Sequence, residues 1–141
     1  MATQDRTQNQ SSAQQAPSLN FNSILIGSAQ PQVLAEFYAK VFGRPADMSE
    51  GGYHGWQVGS CFLTVGEHSE IKGPAKEPAR IILNFETRAV QAEFERLKQL
   101  GVTVVKEPYS MDDGGTAEGW IATLADPDGN YVQLMSPFEM S

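Results

Sequence analysis

The chain is short of the residues that chemistry most often needs. Of its 141 residues one is cysteine, Cys61, and two are histidine, His54 and His68. A lone cysteine excludes an internal disulfide and fits a reducing compartment. No apolar run approaches the about 20 residues that cross a bilayer. The first twenty residues also lack the basic start and apolar block of a secretory signal. A cytoplasmic location is the expectation. No Ser-His-acid arrangement, phosphate-binding glycine loop or Cys-x-x-Cys pair is present. Basic residues are in deficit too: ten Lys and Arg against seventeen Asp and Glu leave a net charge of −7. Such a balance disfavours nucleic acid and anionic membranes as partners.

What the chain does have is a repetition. Ile24–Phe42 lies over Ile81–Gln99, so that Ile24 meets Ile81, Val33 meets Val90, and Ala35-Glu36-Phe37 meets Ala92-Glu93-Phe94. Each copy reads as an apolar strand, a polar connection and an amphipathic helix. A repeat on this scale points to two copies of one supersecondary unit packed together. Their junction is a natural place for a small ligand.

Residues 1–18 are rich in Gln, Ser and Thr and are expected to be a disordered tail. The rest, 19–141, reads as one domain, with unit one at 20–66, a linker at 67–78 and unit two at 79–138. In unit one a strand over Phe21–Gly27 leads to Pro31, which a first helical turn tolerates. Leu34, Phe37, Tyr38 and Val41 then share one helical face. Gly43 ends the helix, and short strands are expected near 46–49, 53–58 and 61–65. In unit two a strand over Arg80–Phe85 precedes a helix with Thr87 as N-cap and Val90, Phe94 and Leu97 as its buried stripe. Strands are expected near 102–107, 119–125 and 130–135. Asp126-Pro127-Asp128-Gly129 is a turn signal, because proline sets φ early and glycine relaxes the exit. The loop Tyr109–Gly119 is long enough to serve as a lid.

The order strand, helix, three strands, stated twice, resembles the vicinal oxygen chelate superfamily of glyoxalases, bleomycin-resistance proteins and extradiol dioxygenases. The resemblance rests on Phe37-Tyr38 and Val41-Phe42-Gly43, on Ile81–Phe85 and Leu100-Gly101, and above all on Ala125-Asp126-Pro127-Asp128-Gly129-Asn130-Tyr131. It implies an α+β fold of two tandem βαβββ units whose curled mixed sheets form a cup. It also implies, in metal-dependent members, His or Glu ligands on the first and last strand of each unit. Carried over, the first-strand positions fall on Ser23 and Arg80, and the last-strand positions on Leu63 and Gln133. Leucine cannot chelate, and arginine opposes a cation. The expectation is therefore no cofactor, with a divalent metal as the alternative, drawn from His54, Glu67 and His68.

Several residues then become candidates for holding a ligand. Arg80 could fork a carboxylate or phosphate, with Asn84 on the same face and Gln133 across the cup. Trp56 and Trp120 could stack a flat molecule. Leu63 and Tyr131 could complete an apolar wall, with Ser23 at its edge. No catalytic residue can be named. The favoured reading is a small-molecule-binding, sequestering protein of the bleomycin-resistance kind, acting as a homodimer. The other reading is a glyoxalase-like lyase, an isomerase or a dioxygenase-type enzyme with a non-standard metal site.

Overall fold

The computed structural model describes residues 18–110 and 119–137. The expected tail and the proposed lid fall almost wholly outside that range. In chain order the elements are β1 (Ser23–Ser28), α1 (Pro31–Phe42), β2 (Met48–Glu50), β3 (Tyr53–Val58) and β4 (Cys61–Glu67). A 3-10 turn at Pro78–Arg80 then leads to β5 (Leu83–Glu86), α2 (Val90–Gln99), β6 (Thr103–Ser110), β7 (Trp120–Ala125) and β8 (Tyr131–Met135). They form two four-stranded mixed sheets, ordered β1-β4-β3-β2 and β5-β8-β7-β6. In each, the first strand runs parallel to the last while the hairpin strands are antiparallel. The fold is α+β with two tandem βαβββ units, as the repeat implies.

Local chemistry accounts for the helix ends. Pro31 opens α1 where a missing N–H costs nothing, and Ser28 Oγ accepts the Gln30 N–H at 2.9 Å just ahead of it. Gly43 closes it at φ +71, a conformation that penalises any Cβ, and its N–H bonds the Ala39 carbonyl at 2.8 Å. The second helix departs from expectation. Its N-cap is Ala89, not Thr87. Thr87 instead accepts the Ala89 N–H through Oγ1 at 3.0 Å, forming the turn that leads in.

Each helix covers one face of its own sheet. Leu34, Phe37, Tyr38 and Val41 of α1 are buried together with Trp56, Leu63 and Val65. Val90, Phe94 and Leu97 of α2 are buried in the same cluster as Ala122, Leu124, Val132 and Leu134. The cluster runs through both units, with the Phe42 ring 5.4 Å from that of Phe85. Polar ties reinforce the junction. The Tyr38 hydroxyl donates to Asp126 Oδ2 at 2.8 Å, and Gln30 Nε2 donates to Asp128 Oδ1 at 2.7 Å. Arg96 donates to the last carbonyls of α1, those of Lys40 and Val41, at 2.8 and 2.7 Å. The Asp126–Asn130 turn is therefore a clasp between the units as well as a hairpin loop.

Candidate functional site

Side chains alternate across a strand, so the helix-covered face decides what remains on the other. In the first sheet Ile26, Val65 and His54 lie in one register row, and Ile24, Leu63 and Trp56 in another, all on the helix side. The opposite face carries Ser23 beside Phe62 and Gln57, then Leu25 beside Thr64 and Gly55, then Gly27 beside Gly66. This face is uncovered: Leu25 is 55% exposed and Tyr53 40%. In the second sheet Leu83, Val132 and Leu124 lie on the helix side. The open face carries Asn84 beside Gln133, Thr123 and then Lys106. Gln133 donates from Nε2 to Thr123 Oγ1 at 3.2 Å.

The sequence repeat relates the two open faces. Ile26 corresponds to Leu83, so Gly27 corresponds to Asn84 and its partner Gly66 to Gln133. The row that presents two amides in one unit presents no side chain in the other. Neighbours lean into that gap. A Cβ added to Gly66 would meet the Tyr53 ring, and one added to Gly55 would meet the Phe62 ring. On Gly27 it would sit 3.0 Å from the His68 Cβ and 3.1 Å from the Ile71 Cγ1.

A cleft of about 540 Å³ lies where β5 approaches the Gly59-Ser60 turn. Phe21, Ile24, Cys61, Leu63, Ile82 and Asn84 help to line it. Asn84 thus belongs both to the polar row and to the mouth of an apolar cleft.

The structure corrects several expectations. Arg80 is not on a strand and does not face the cup. It ends the 3-10 turn, its side chain is 70% exposed, and it pairs with Glu77 at 2.7 Å. Pro78 opens that turn, which ends before the strand begins and leaves the guanidinium in solvent, away from the Asn84–Gln133 row that an anion fork would have to join. Leu63 and Gln133 are not counterparts, because they lie on opposite faces. The tight Gly59-Ser60 turn and the longer Asp126–Asn130 turn place a residue counted from the turn glycine on different sides. Leu63 packs under α1 and backs the cleft from within. Trp56 is 1% exposed and its Nε1 donates to the Arg44 carbonyl at 3.1 Å, so it stacks nothing from solvent. Trp120 packs partly buried against the core. Gln133 is not across the cup from Asn84: the two are register partners on the open face of the second sheet, which Tyr131 shares, and Ser23 lies on that of the first.

The residues do not form the metal site that many members of the resembled superfamily use. Among the described residues, no three His, Cys, Asp or Glu side chains come together to hold an ion. His54 lies on the helix side of β3, its Nδ1 3.0 Å from Ser49 Oγ. His68 lies on the open side, over Gly27, with Nδ1 accepting the Glu70 N–H at 3.1 Å. Opposite faces of one sheet cannot share an ion, and Glu67 is exposed at the end of β4.

Residue-by-residue reading missed Tyr53, Phe62, Thr123 and the glycine pair. A signal existed: Gly27, Gly55 and Gly66 all fall at open-face parity in three neighbouring strands. It becomes visible only once the register is known.

Two mixed sheets from a doubled βαβββ unit, helices on one side and an uncovered face on the other, define the class of the vicinal oxygen chelate proteins. The family model for the glyoxalase-like domain matches residues 23–135. The chain belongs to that family. Solved structures with the same fold include a glyoxalase/bleomycin resistance protein/dioxygenase family enzyme from Burkholderia phytofirmans PsJN. It is 20% identical, with a TM-score of 0.66 over 85% of this chain and 100% of that one. A glyoxalase/bleomycin resistance protein from Albidiferax ferrireducens T118 is 18% identical, with a TM-score of 0.65 over 83% and 98% of the two chains. A glyoxalase-related enzyme from Fulvimarina pelagi is 20% identical, with a TM-score of 0.64 over 88% of each. No curated protein matches the chain.

Proposed function

We propose that this chain is a binding protein that holds a small molecule in the cup without a metal and without transforming it. One observation carries the reading. At the row where the repeat aligns first and last strands, the four positions are Gly27, Gly66, Asn84 and Gln133. Two have no side chain and two are neutral amides. A divalent transition metal wants several imidazole, thiolate or carboxylate donors. None of these four positions supplies a general base either.

A second copy of the chain completes the cup in this proposal. Apolar side chains left uncovered on the open faces, Leu25 and Tyr53 on one and Tyr109 on the other, support it. The competing reading, a glyoxalase-like lyase or isomerase, has one observation in its favour: the imidazole of His68 sits on the open face, over Gly27.

Calorimetric titration with zinc, nickel, manganese and ferrous ions separates the two. The proposal expects no stoichiometric heat, together with a raised melting temperature when small metabolites or aromatic antibiotics are screened. Tight binding of one metal per chain, lost in the His54→Ala/His68→Ala double variant, overturns it. Sedimentation equilibrium tests the dimer.

A further inference from the structure

We propose that the cleft at the seam of the two units binds a cationic amphiphile. Its apolar body lies along the free edge of β5, and its ammonium or amidinium group meets Glu86. This goes beyond the reading above, since the site is a strand edge rather than an open sheet face, and each can fail without the other.

The cleft brings both units together. Phe21, Ile24 and Leu63 line it from the first unit, and Ile82, Leu83 and Phe85 from the second. Its volume, about 540 Å³, is that of a small-molecule site. Every residue from Ile81 to Glu86 takes part. Side chains of both parities do not line a groove that lies over one face of a strand, so the cleft runs along the edge of β5. That edge is free, because β5 stands at the border of its sheet and pairs with β8 on its other side. The Thr87 N–H donates to the Met135 carbonyl at 2.9 Å. Alternate residues of a parallel strand address the same neighbour, so Leu83 and Phe85 also turn their backbone groups to β8. The N–H and C=O of Asn84 then point out to the cleft. Such unpaired edge groups are ready partners for a ligand.

Charge sets the class of ligand. Among the described residues that line the cleft, Glu86 is the one ionic side chain. It is exposed, and none of the ion pairs among the described residues includes it. The cations nearby are engaged or turned elsewhere. Arg96 shares the adjoining groove with Glu86, but it pairs with Glu93 and donates to two carbonyls of α1. Arg80, at the other end of the segment, pairs with Glu77. Arg88 lines neither groove. A cation seated at this end gains the Glu86 carboxylate, with the Asn84 carbonyl as a further acceptor. An anion meets repulsion and no counter-charge on the wall. The net charge of −7 biases the encounter in the same direction.

The test uses the full-length protein and three probes with one body, 4-phenylbutylamine, 4-phenylbutanol and 4-phenylbutyrate, titrated by calorimetry at neutral pH and low salt. The amine should bind about tenfold more tightly than the carboxylate, with the alcohol between them. Glu86→Gln should weaken the amine about three- to fivefold and leave the alcohol unchanged. Ser60→Trp, at the exposed turn beside the cleft, should weaken all three by filling it. Cys61 lines the cleft and is the chain's one cysteine, so its alkylation by N-ethylmaleimide should slow when the amine is bound. Far-ultraviolet dichroism checks that each variant keeps its fold. A carboxylate that binds as tightly as the amine, an amine indifferent to Glu86→Gln or to Ser60→Trp in folded protein, unaltered Cys61 alkylation at saturation, or no binding of the amine overturns the inference. Each of these leaves the metal-free reading of the cup untouched. Stoichiometric metal binding would sink that reading and leave the cleft standing.

Discussion

The hydroxyl of Tyr38, in the first helix, donates a 2.8 Å hydrogen bond to Oδ2 of Asp126, in the last turn of the other unit. Both groups are buried. Asp126 also accepts from the Asn130 side chain and from the backbone N–H groups of Asp128 and Asn130. Burial nonetheless pushes its carboxyl above the ordinary range, with those donors opposing the shift. The Tyr38 phenol is raised well above its ordinary value by burial and by the neighbouring Asp126.

Tyr38→Phe should cost about 1–3 kcal/mol at neutral pH, because it leaves a buried carboxylate one donor short. The pH dependence follows from the two shifts. A carboxyl raised in the folded state contributes stability that is present at acid pH and lost as pH rises through its folded value. Removing Tyr38 raises it further, so the deficit of the variant should be smaller near pH 4 than at pH 7. On the alkaline side the wild type should lose stability above about pH 10, where the unfolded phenol ionises and the buried one does not. The phenylalanine variant should lack that component. Urea denaturation across pH reads both arms; a deficit that does not vary with pH would refute the linkage.

Arg96 joins the helices by donating to the terminal carbonyls of α1 while paired with Glu93 at 2.8 Å. Arg96→Lys should lower the denaturation midpoint by the equivalent of about 1 kcal/mol, because a single ammonium cannot meet two carbonyls in the geometry of a planar fork. Glu93→Gln should cost less, since a half-exposed ion pair is screened by solvent. A larger loss for Glu93→Gln than for Arg96→Lys would reverse the ranking of the two contacts.

Trp56→Phe should destabilise by about 1–3 kcal/mol, since it removes both buried volume and a hydrogen bond to the Arg44 carbonyl. Ligand affinity should not change. Were it to fall in a folded variant, the assignment of Trp56 to the core rather than to the cup would be wrong.

Gly66→Ala should do the opposite. The new methyl must displace the Tyr53 ring into the space above the open face. Ligand affinity should fall several-fold while the melting temperature drops by only a few degrees, about what a loss of 1 kcal/mol produces in a domain of this size. A drop in stability with unaltered affinity would mean that this face is not the ligand's.

Element positions were largely legible in the sequence, because helix periodicity and turn chemistry are local. Pro31 and Gly43 bracket α1 within a residue of expectation, and Gly59-Ser60 and Asp126–Asn130 fall at the hairpins. β5 starts later than its apolar pattern suggests, at Leu83. Pro78–Arg80 winds into a 3-10 turn, and Ile81 stays 73% exposed before the strand begins at Leu83. Threonine favours an N-cap site, yet α2 begins beyond Thr87, with Ala89 at the cap.

The candidate site was legible only in part. Alternation along a strand is legible within one unit, but the sequence reading sets Gln133 across the cup from Asn84, whereas parallel pairing of β5 and β8 makes them neighbours on one face. Leu63 falls on the other face because parity cannot be carried from one unit to the other across turns of different length, and Trp56 lies in the core because packing, not residue type, decides whether an aromatic ring is buried.

The order of residues determined that two like units, each a strand, a helix and a hairpin pair, would form and would share one apolar interior. It also determined that chelating side chains are scarce, since composition alone sets that. Which residues meet was decided in three dimensions. A one-residue change of register turns a strand over, so whether a leucine, a glycine or an amide stands in the cup depends on pairing between strands tens of positions apart. That pairing set Gly27 beside Gly66 and Asn84 beside Gln133, while the 3-10 turn ahead of β5 left Arg80 in solvent.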